Sequence, residues 1–216
     1  MPRSAFGVSV FCLALGLGLA GCKIVPDPDP NEAGATAAGQ SDDERMQAYA
    51  ADAWEPRVLP VIAGKRLPLR DLRQQLAADP SAAGAAHGLR PQGDSNPWNF
   101  AVTGEGVITG GKTDSRAAKL EVDTDGDGKG DLTIQLGPVI RGTAIRDAMP
   151  FVVFTDFRDQ IEFAKLANAF NAEAHKRTPF PEGDIIGQQV QFEGVFTLQG
   201  KGEKIELVPT ALSYGG

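Results

Sequence analysis

Apolar residues recur along this chain with two different periods, and the change between them comes near residue 90. The N-terminal side shows two stripes at helical spacing. They comprise Met46, Tyr49, Ala50 and Ala53, and then Leu69, Leu72 and Leu76. Pro56 and Pro60 interrupt or kink the first helix, and Asp79-Pro80 ends the second. We therefore predict a small helical part over residues 43–90.

From residue 91 onward the period changes to two, which is the alternation of half-buried strands. Five segments alternate in this way, at residues 100–108, 118–122, 132–136, 190–198 and 205–207. Helical spacing returns over residues 157–170, with Asp156 as the predicted N-cap and Asp159 in the first turn. Gly104 and Gly106 predict a bulge or a sharp coil in the first strand.

Three strands, a helix and two further strands follow one another in the order found in an OB-fold. We therefore predict an α+β fold in which residues 91–216 form an OB-like, five-stranded, partly open β-barrel with a helix between strands three and four. A plain α+β sandwich is the alternative.

The N-terminus carries a secretion pattern. Arg3 precedes the largely apolar, acid-free run Ala5–Ala20, which is shorter than the roughly 18–20 residues of a spanning helix. The segment ends in Leu19-Ala20-Gly21-Cys22, typical of a bacterial lipobox whose cysteine thiol accepts diacylglycerol. We predict a signal peptide over residues 1–21, lipidation of Cys22 and a Pro/Asp/Gly/Ala-rich tether over residues 22–42. The alternative is an ordinary signal peptide with an incidental cysteine.

Charge and motifs narrow the function classes. The 216-residue chain has a formal charge of −7, so it repels phosphate backbones and is not expected to bind nucleic acid. Cys12 lies in the predicted signal peptide, so a mature chain with only Cys22 forms no intramolecular disulfide. The sequence contains no Gly-x-Ser-x-Gly, no P-loop and no His pair at helical spacing, which disfavours an enzyme.

An Asp/Gly-rich segment lies between the second and third strands. Carboxylates at its positions 1, 3, 5 and 9, with a glycine at position 6, suit a hard cation such as Ca²⁺. The predicted ligands are Asp123, Asp125, Asp127, the carbonyl of Lys129, and Asp131. Position 12 is Ile134 rather than the glutamate of an EF-hand, so weak binding is expected. The alternative is a simple turn, because Asp and Gly are common turn residues.

Polar and aromatic residues are dense in the segment that leads into the long helix. Thr143 is a predicted cap of a short helix that Pro150 ends, and this helix carries Arg146 and Asp147. One interpretation is a pocket in which arginine orients a carboxylate or sugar hydroxyls and aromatic rings stack on the ligand. Its candidate residues are Arg141, Arg146, Asp147, Phe154, Asp156, Phe157, Gln160 and Glu162. The alternative is a structural ion-pair network.

Several motifs together resemble one family over nearly all of the mature chain. They are Cys22–Pro26, Val122–Gly128, Gly137–Asp147, Phe154, Phe157, Gln160–Ala164, Gly187–Leu198 and Val208-Pro209. These segments resemble the bacterial predicted periplasmic lipoprotein family of unknown function. The resemblance implies an OB-like barrel with a helical N-terminal part, often encoded beside sugar ABC-transporter genes.

These features together predict a lipid-anchored envelope protein that faces the periplasm, in the inner or the outer membrane. We expect a binding or adaptor module with a small-molecule ligand or a sugar ABC-transporter component as partner. The alternatives are a hydrolase that uses the carboxylates between Asp147 and Glu162, and a structural envelope protein with a calcium-bound loop.

Overall fold

The computed structural model describes residues 41–91, 95–200 and 204–215. The predicted signal peptide, Cys22 and nearly all of the predicted tether lie outside these ranges. Among the helices within them, none is both long enough and apolar enough to cross a membrane.

Five strands form a ring at the centre of the fold. They are β1 (Asn99–Lys112), β2 (Lys119–Asp123), β3 (Leu132–Gln135), β4 (Gln189–Thr197) and β5 (Ile205–Gly215). β1 pairs antiparallel with both β2 and β4, and β2–β3 and β4–β5 are also antiparallel. A parallel pairing of β3 with β5 completes the ring. The predicted α+β fold, with a five-stranded barrel and a helix between its third and fourth strands, is confirmed.

The long first strand allows the barrel to close, because β1 pairs with β4 along its first part and with β2 along its last part. The bulge lies between Ile108 and Gly110, shortly after the two glycines that predicted it. Gly104 and Gly106 instead permit close approach of neighbouring groups. A Cβ atom on Gly104 would lie 2.5 Å from Cζ of Phe192, and one on Gly106 would lie 2.3 Å from the carbonyl oxygen of Asp123.

Within residues 41–91, four α-helices precede the barrel: α1 (Asp42–Ala53), α2 (Leu59–Lys65), α3 (Leu69–Ala78) and α4 (Pro80–His87). Ser41 caps α1 by accepting the N–H of Glu44, whose side chain accepts the N–H of Ser41 in return. A π-helical turn, Trp54–Val58, joins α1 to α2 and contains Pro56. The predicted interruption is therefore a change of hydrogen-bond register, because proline has no N–H to donate.

The connection from β3 to β4 contains α5 (Ala144–Ala148), a 3-10 turn (Phe154–Asp156) and α6 (Gln160–Arg177). The prediction that Asp156 caps α6 is wrong, because Asp156 lies in the 3-10 turn. Asp159 is the cap, and its Oδ1 accepts the N–H groups of Ile161 at 2.9 Å and Glu162 at 2.8 Å. Thr143 precedes α5 but makes no capping bond through its side chain.

Alternate residues of the barrel wall contribute to two apolar cores, because successive side chains of a strand point to opposite faces. Phe100 and Val102 lie in the core inside the barrel. Ala101 and Val195 lie in a second core together with residues of α1, α5 and α6, including Met46, Leu166 and Phe170. The N-terminal helices and the barrel therefore share an apolar core and belong to one compact unit.

Candidate functional site

The Asp/Gly loop between β2 and β3 is organised around the carboxylate of Asp123. Asp123 Oδ1 accepts the N–H of Asp125 at 3.1 Å and of Gly126 at 2.7 Å, and Oδ2 accepts the N–H of Gly128 at 2.7 Å. Both glycines have φ near +85°, in the left-handed region that favours glycine. Hydrogen bonds from Gly126 and Gly128 hold the pKa of Asp123 below its usual range, so this carboxylate is ionised at neutral pH.

The structure brings three of the five predicted metal ligands together. One carboxylate oxygen from each of Asp123, Asp125 and Asp131 lies within 4.8 Å of the other two. Asp127 is exposed and lies outside this group, and its Oδ1 accepts the N–H of Lys129 at 2.8 Å. The donor set of hard oxygens suits Ca²⁺, although three carboxylates supply only part of its usual shell.

Arg73 of α3 also contacts this loop. Its Nη1 donates to Oδ2 of Asp131 at 2.8 Å and to the hydroxyl of Thr124 at 2.7 Å. A cation bound at the three carboxylates would therefore share Asp131 with a guanidinium group. The same contact attaches α3 to the barrel.

Arg146 and Asp147, from the predicted pocket, form a largely buried ion pair on α5. Oδ1 of Asp147 lies 2.7 Å from Arg146 Nη2, and Thr143 donates to Oδ2 at 2.5 Å. Arg146 Nη1 donates to the carbonyl oxygen of Phe163 at 3.0 Å, and its guanidinium carbon lies 3.8 Å from the centre of the Phe163 ring. These contacts fasten α5 to α6.

Glu162, another candidate, connects the first turns of α1 and α6. Its Oε1 accepts from Arg45 at 2.5 Å and its Oε2 accepts the N–H of Arg158 at 2.7 Å. Arg158 and Arg45 also bind Asp42 and hold its pKa at about 2. Contacts within the chain thus occupy Glu162 and Asp147, two of the carboxylates that the hydrolase alternative requires.

The remaining candidates do not converge on these ion pairs. Phe157 is half-buried, and its ring centre lies 6.0 Å from that of Tyr49 and 5.4 Å from that of Phe163. Four side chains of the set are exposed, namely Arg141, Phe154, Asp156 and Gln160. The structure therefore divides the eight predicted residues among a buried ion pair, an interhelical contact, an aromatic cluster and the surface.

A groove of about 780 Å³ is lined by residues that the sequence did not indicate as a ligand site. One side of the groove is formed by Leu67–Pro68, which pairs in parallel with Val102 and Thr103 of β1, and by the start of α3. The apolar part of its lining includes Leu69, Phe192 and Leu212. Its polar lining residues are Arg66, Arg70, Thr103, Glu105, Thr124, Gln191, Glu193 and Ser213.

An ion pair between Arg66 and Glu193 lies within this groove. Glu193 Oε1 also accepts from the hydroxyl of Thr210 at 3.3 Å, so its carboxylate is held from two sides. The Arg66 side chain is 46% exposed and that of Glu193 only 17%, so the guanidinium can still reach a ligand from solvent. Arg70 and Glu105 add one charge of each sign, which leaves the lining without net charge.

Strand register makes the polar lining residues of the groove neighbours across adjacent strands. Polar side chains alternate along β1 and β4, and the pairs Thr103–Glu193, Glu105–Gln191 and Gln191–Ser213 lie side by side across three strands. The alternation itself is visible in the sequence and could have marked one polar face of the barrel. Which residues become neighbours depends on register, and α3 adds the arginine side of the groove.

Comparison with known proteins gives a family and a fold. The family described as predicted periplasmic lipoprotein (DUF2291) matches residues 12–213. A crystal structure described as an OB-fold protein from Thermotoga maritima is 21% identical, with a TM-score of 0.58, and covers 82% of this chain and 99% of that chain. At this identity the similarity shows the fold alone. Among curated proteins, no significant match was found.

Proposed function

This chain belongs to the predicted periplasmic lipoprotein family, and on that basis we propose that it is a lipid-anchored binding module. The apolar run that ends in Leu19-Ala20-Gly21-Cys22 supports the anchor. The groove with its Arg66–Glu193 ion pair is the observation that supports a binding role. Concave sites with a few well-positioned polar groups are where small molecules usually bind.

The chemistry of the groove favours a polar ligand without a large net charge. Two arginines and two glutamates balance one another, so a multiply charged anion or cation would meet as much repulsion as attraction. Hydroxyl and amide groups of Thr103, Gln191 and Ser213 offer both donors and acceptors. A sugar satisfies these requirements, and OB-fold surfaces are known to accept oligosaccharides.

The anchor and the groove together suggest a role beside a sugar uptake system. A domain attached to the membrane through Cys22 would hold its ligand close to a transporter in the same membrane. The family resemblance favours a component of a sugar ABC transporter as the partner.

Titration of the mature chain with a panel of mono- and oligosaccharides tests the ligand. We expect one class of saccharide to bind, and we expect Glu193→Gln to weaken that binding about tenfold, or about 1.4 kcal/mol. The physical reason is that the substitution removes the charge that orients Arg66 in the groove. Isothermal calorimetry measures both affinities.

Glu206→Gln is the matched control, because Glu206 is exposed on β5 outside the groove. This variant should bind like the wild type. Absence of heat with every saccharide, or equal affinities of the two variants, would contradict the proposed site.

We also propose that Asp123, Asp125 and Asp131 bind Ca²⁺ weakly, supported by the 4.8 Å grouping of their oxygens. Ca²⁺ at about ten times its Kd should raise the melting temperature by about 3–5 °C, because it binds only the folded chain. Asp125→Ala should abolish this increase, and Asp127→Ala should retain it, because Asp127 lies outside the group. Thermal unfolding with and without chelator measures the effect. Equal responses of the two variants would count against this site.

A further inference from the structure

The helices α1 and α6 begin at the same end of the molecule. Their N-terminal ends are joined by contacts of 2.5 Å between Asp42 and Arg158, which precedes α6, and of 2.7 Å between Asp43 and Lys165 in the second turn of α6. Residues further along the two helices are also in contact, because the ring centres of Tyr49 in α1 and Phe170 in α6 lie 6.4 Å apart. The two helices therefore run in parallel, and α1 begins beside the N-terminal end of α6.

Two large apolar side chains are exposed at this end. Ile161, in the first turn of α6, is 67% exposed, the highest value among large apolar residues in the described ranges. Phe154, in the preceding 3-10 turn, is 46% exposed and rests edge-on against Phe163, with ring centres 5.3 Å apart. We refer to Phe154 and Ile161 as the apolar tip.

The length of the chain between Cys22 and Ser41 indicates that the apolar tip faces the bilayer. Residues 23–40 separate Cys22 from Ser41. The tether predicted from the sequence would span about 25 Å on average, whereas a domain of this size is roughly 40 Å across. If Cys22 is lipidated, the end of the domain next to Ser41 stays closest to the bilayer, and the anchor keeps it there at a high effective concentration.

We propose that the apolar tip inserts into the bilayer surface and sets the orientation of the domain on the membrane. This inference rests on the lipid anchor of the proposed function. Two apolar side chains bind membranes weakly by themselves, but the anchor makes their contact intramolecular. The barrel would then rest on the membrane in one orientation.

Charge determines which lipid surface suits this end. The basic side chains Arg45, Arg158 and Lys165 are already paired with Asp42, Asp43 or Asp159, and Asp156 is exposed nearby. This end therefore offers little attraction to anionic headgroups. The contact is apolar, so insertion should occur in vesicles of phosphatidylcholine alone and should be insensitive to salt.

The cysteine content permits a direct test. Because Cys22 is the one cysteine of the mature chain and its sulfur carries the lipid, Ile161→Cys introduces a single reactive thiol. The lipidated protein is labelled there with an environment-sensitive fluorophore and reconstituted into phosphatidylcholine vesicles that contain brominated, quenching lipid. We expect several-fold stronger quenching of this label than of one at Ile186→Cys.

Ile186 is a matched control because it is the same residue type and is 57% exposed. It lies nine positions after Arg177, the last residue of α6, and this helix is about 27 Å long. Phe154→Ser in the Ile161→Cys protein should reduce the quenching, since it removes the other member of the apolar tip. Equal quenching of the two labels, or none, in protein that floats with the vesicles would overturn the insertion and leave the anchor intact. Protein that does not float would overturn both.

Discussion

Replacing Cys22 with alanine is expected to release from the membrane fraction almost all of the chain whose signal peptide has been cleaved. In the proposed anchor the sulfur of Cys22 would carry diacylglycerol, and each buried methylene contributes about 0.8 kcal/mol to membrane binding. Two acyl chains therefore bind far more strongly than the apolar tip of Phe154 and Ile161. Fractionation of cells, with mass spectrometry of the N-terminal peptide, measures the change and detects the lipid.

Cys12→Ala provides the control, because Cys12 lies within the apolar run before the predicted cleavage site. It should leave both lipidation and membrane association unchanged. Retention of Cys22→Ala in the membrane fraction after cleavage of the signal peptide would contradict the anchor. In that event the alternative of an ordinary signal peptide would stand.

Replacing Phe170 with alanine is expected to lower the free energy of unfolding by about 3–5 kcal/mol. Phe170 is fully buried on α6, and its ring lies edge-on to Tyr49 of α1. The loss of a large side chain removes apolar burial and leaves a cavity that the neighbouring helices cannot fill completely. Urea unfolding, followed by tryptophan fluorescence and far-ultraviolet circular dichroism, measures this loss.

The two probes should report a single transition in both wild type and variant, because the N-terminal helices and the barrel share one core. Asn168→Ala is the control on the same helix, and as an exposed substitution it should change stability by less than about 0.5 kcal/mol. Separate transitions for fluorescence and dichroism would show that the helical part unfolds independently.

Local periodicity was sufficient to predict the strands and the long helices. Each strand has one face toward the barrel interior, so every second residue is apolar, as at Phe100 and Val102. Helix ends were less accurately predicted. Asp156 and Asp159 are both suitable caps by residue type, and the 3-10 turn at Phe154–Asp156 delays the start of α6.

The candidate ligand residues show why nearness in sequence is a poor guide to a site. Arg146 pairs with its neighbour Asp147, whereas Glu162 pairs with Arg45, more than a hundred positions away. The sequence does not distinguish an arginine that pairs with a carboxylate of the same chain from an arginine that binds a ligand. Only the contacts distinguish the two cases.

The family, the order of elements and the five-stranded barrel could be predicted from the sequence, because burial patterns and motifs along the chain indicate them. The location of the groove, and the end of the domain that carries the apolar tip, became known from the tertiary structure. The groove combines α3 with strands β1, β4 and β5, and the apolar tip depends on the parallel contact of α1 with α6. Strand register and helix packing are long-range choices, and composition at any one position does not reveal them.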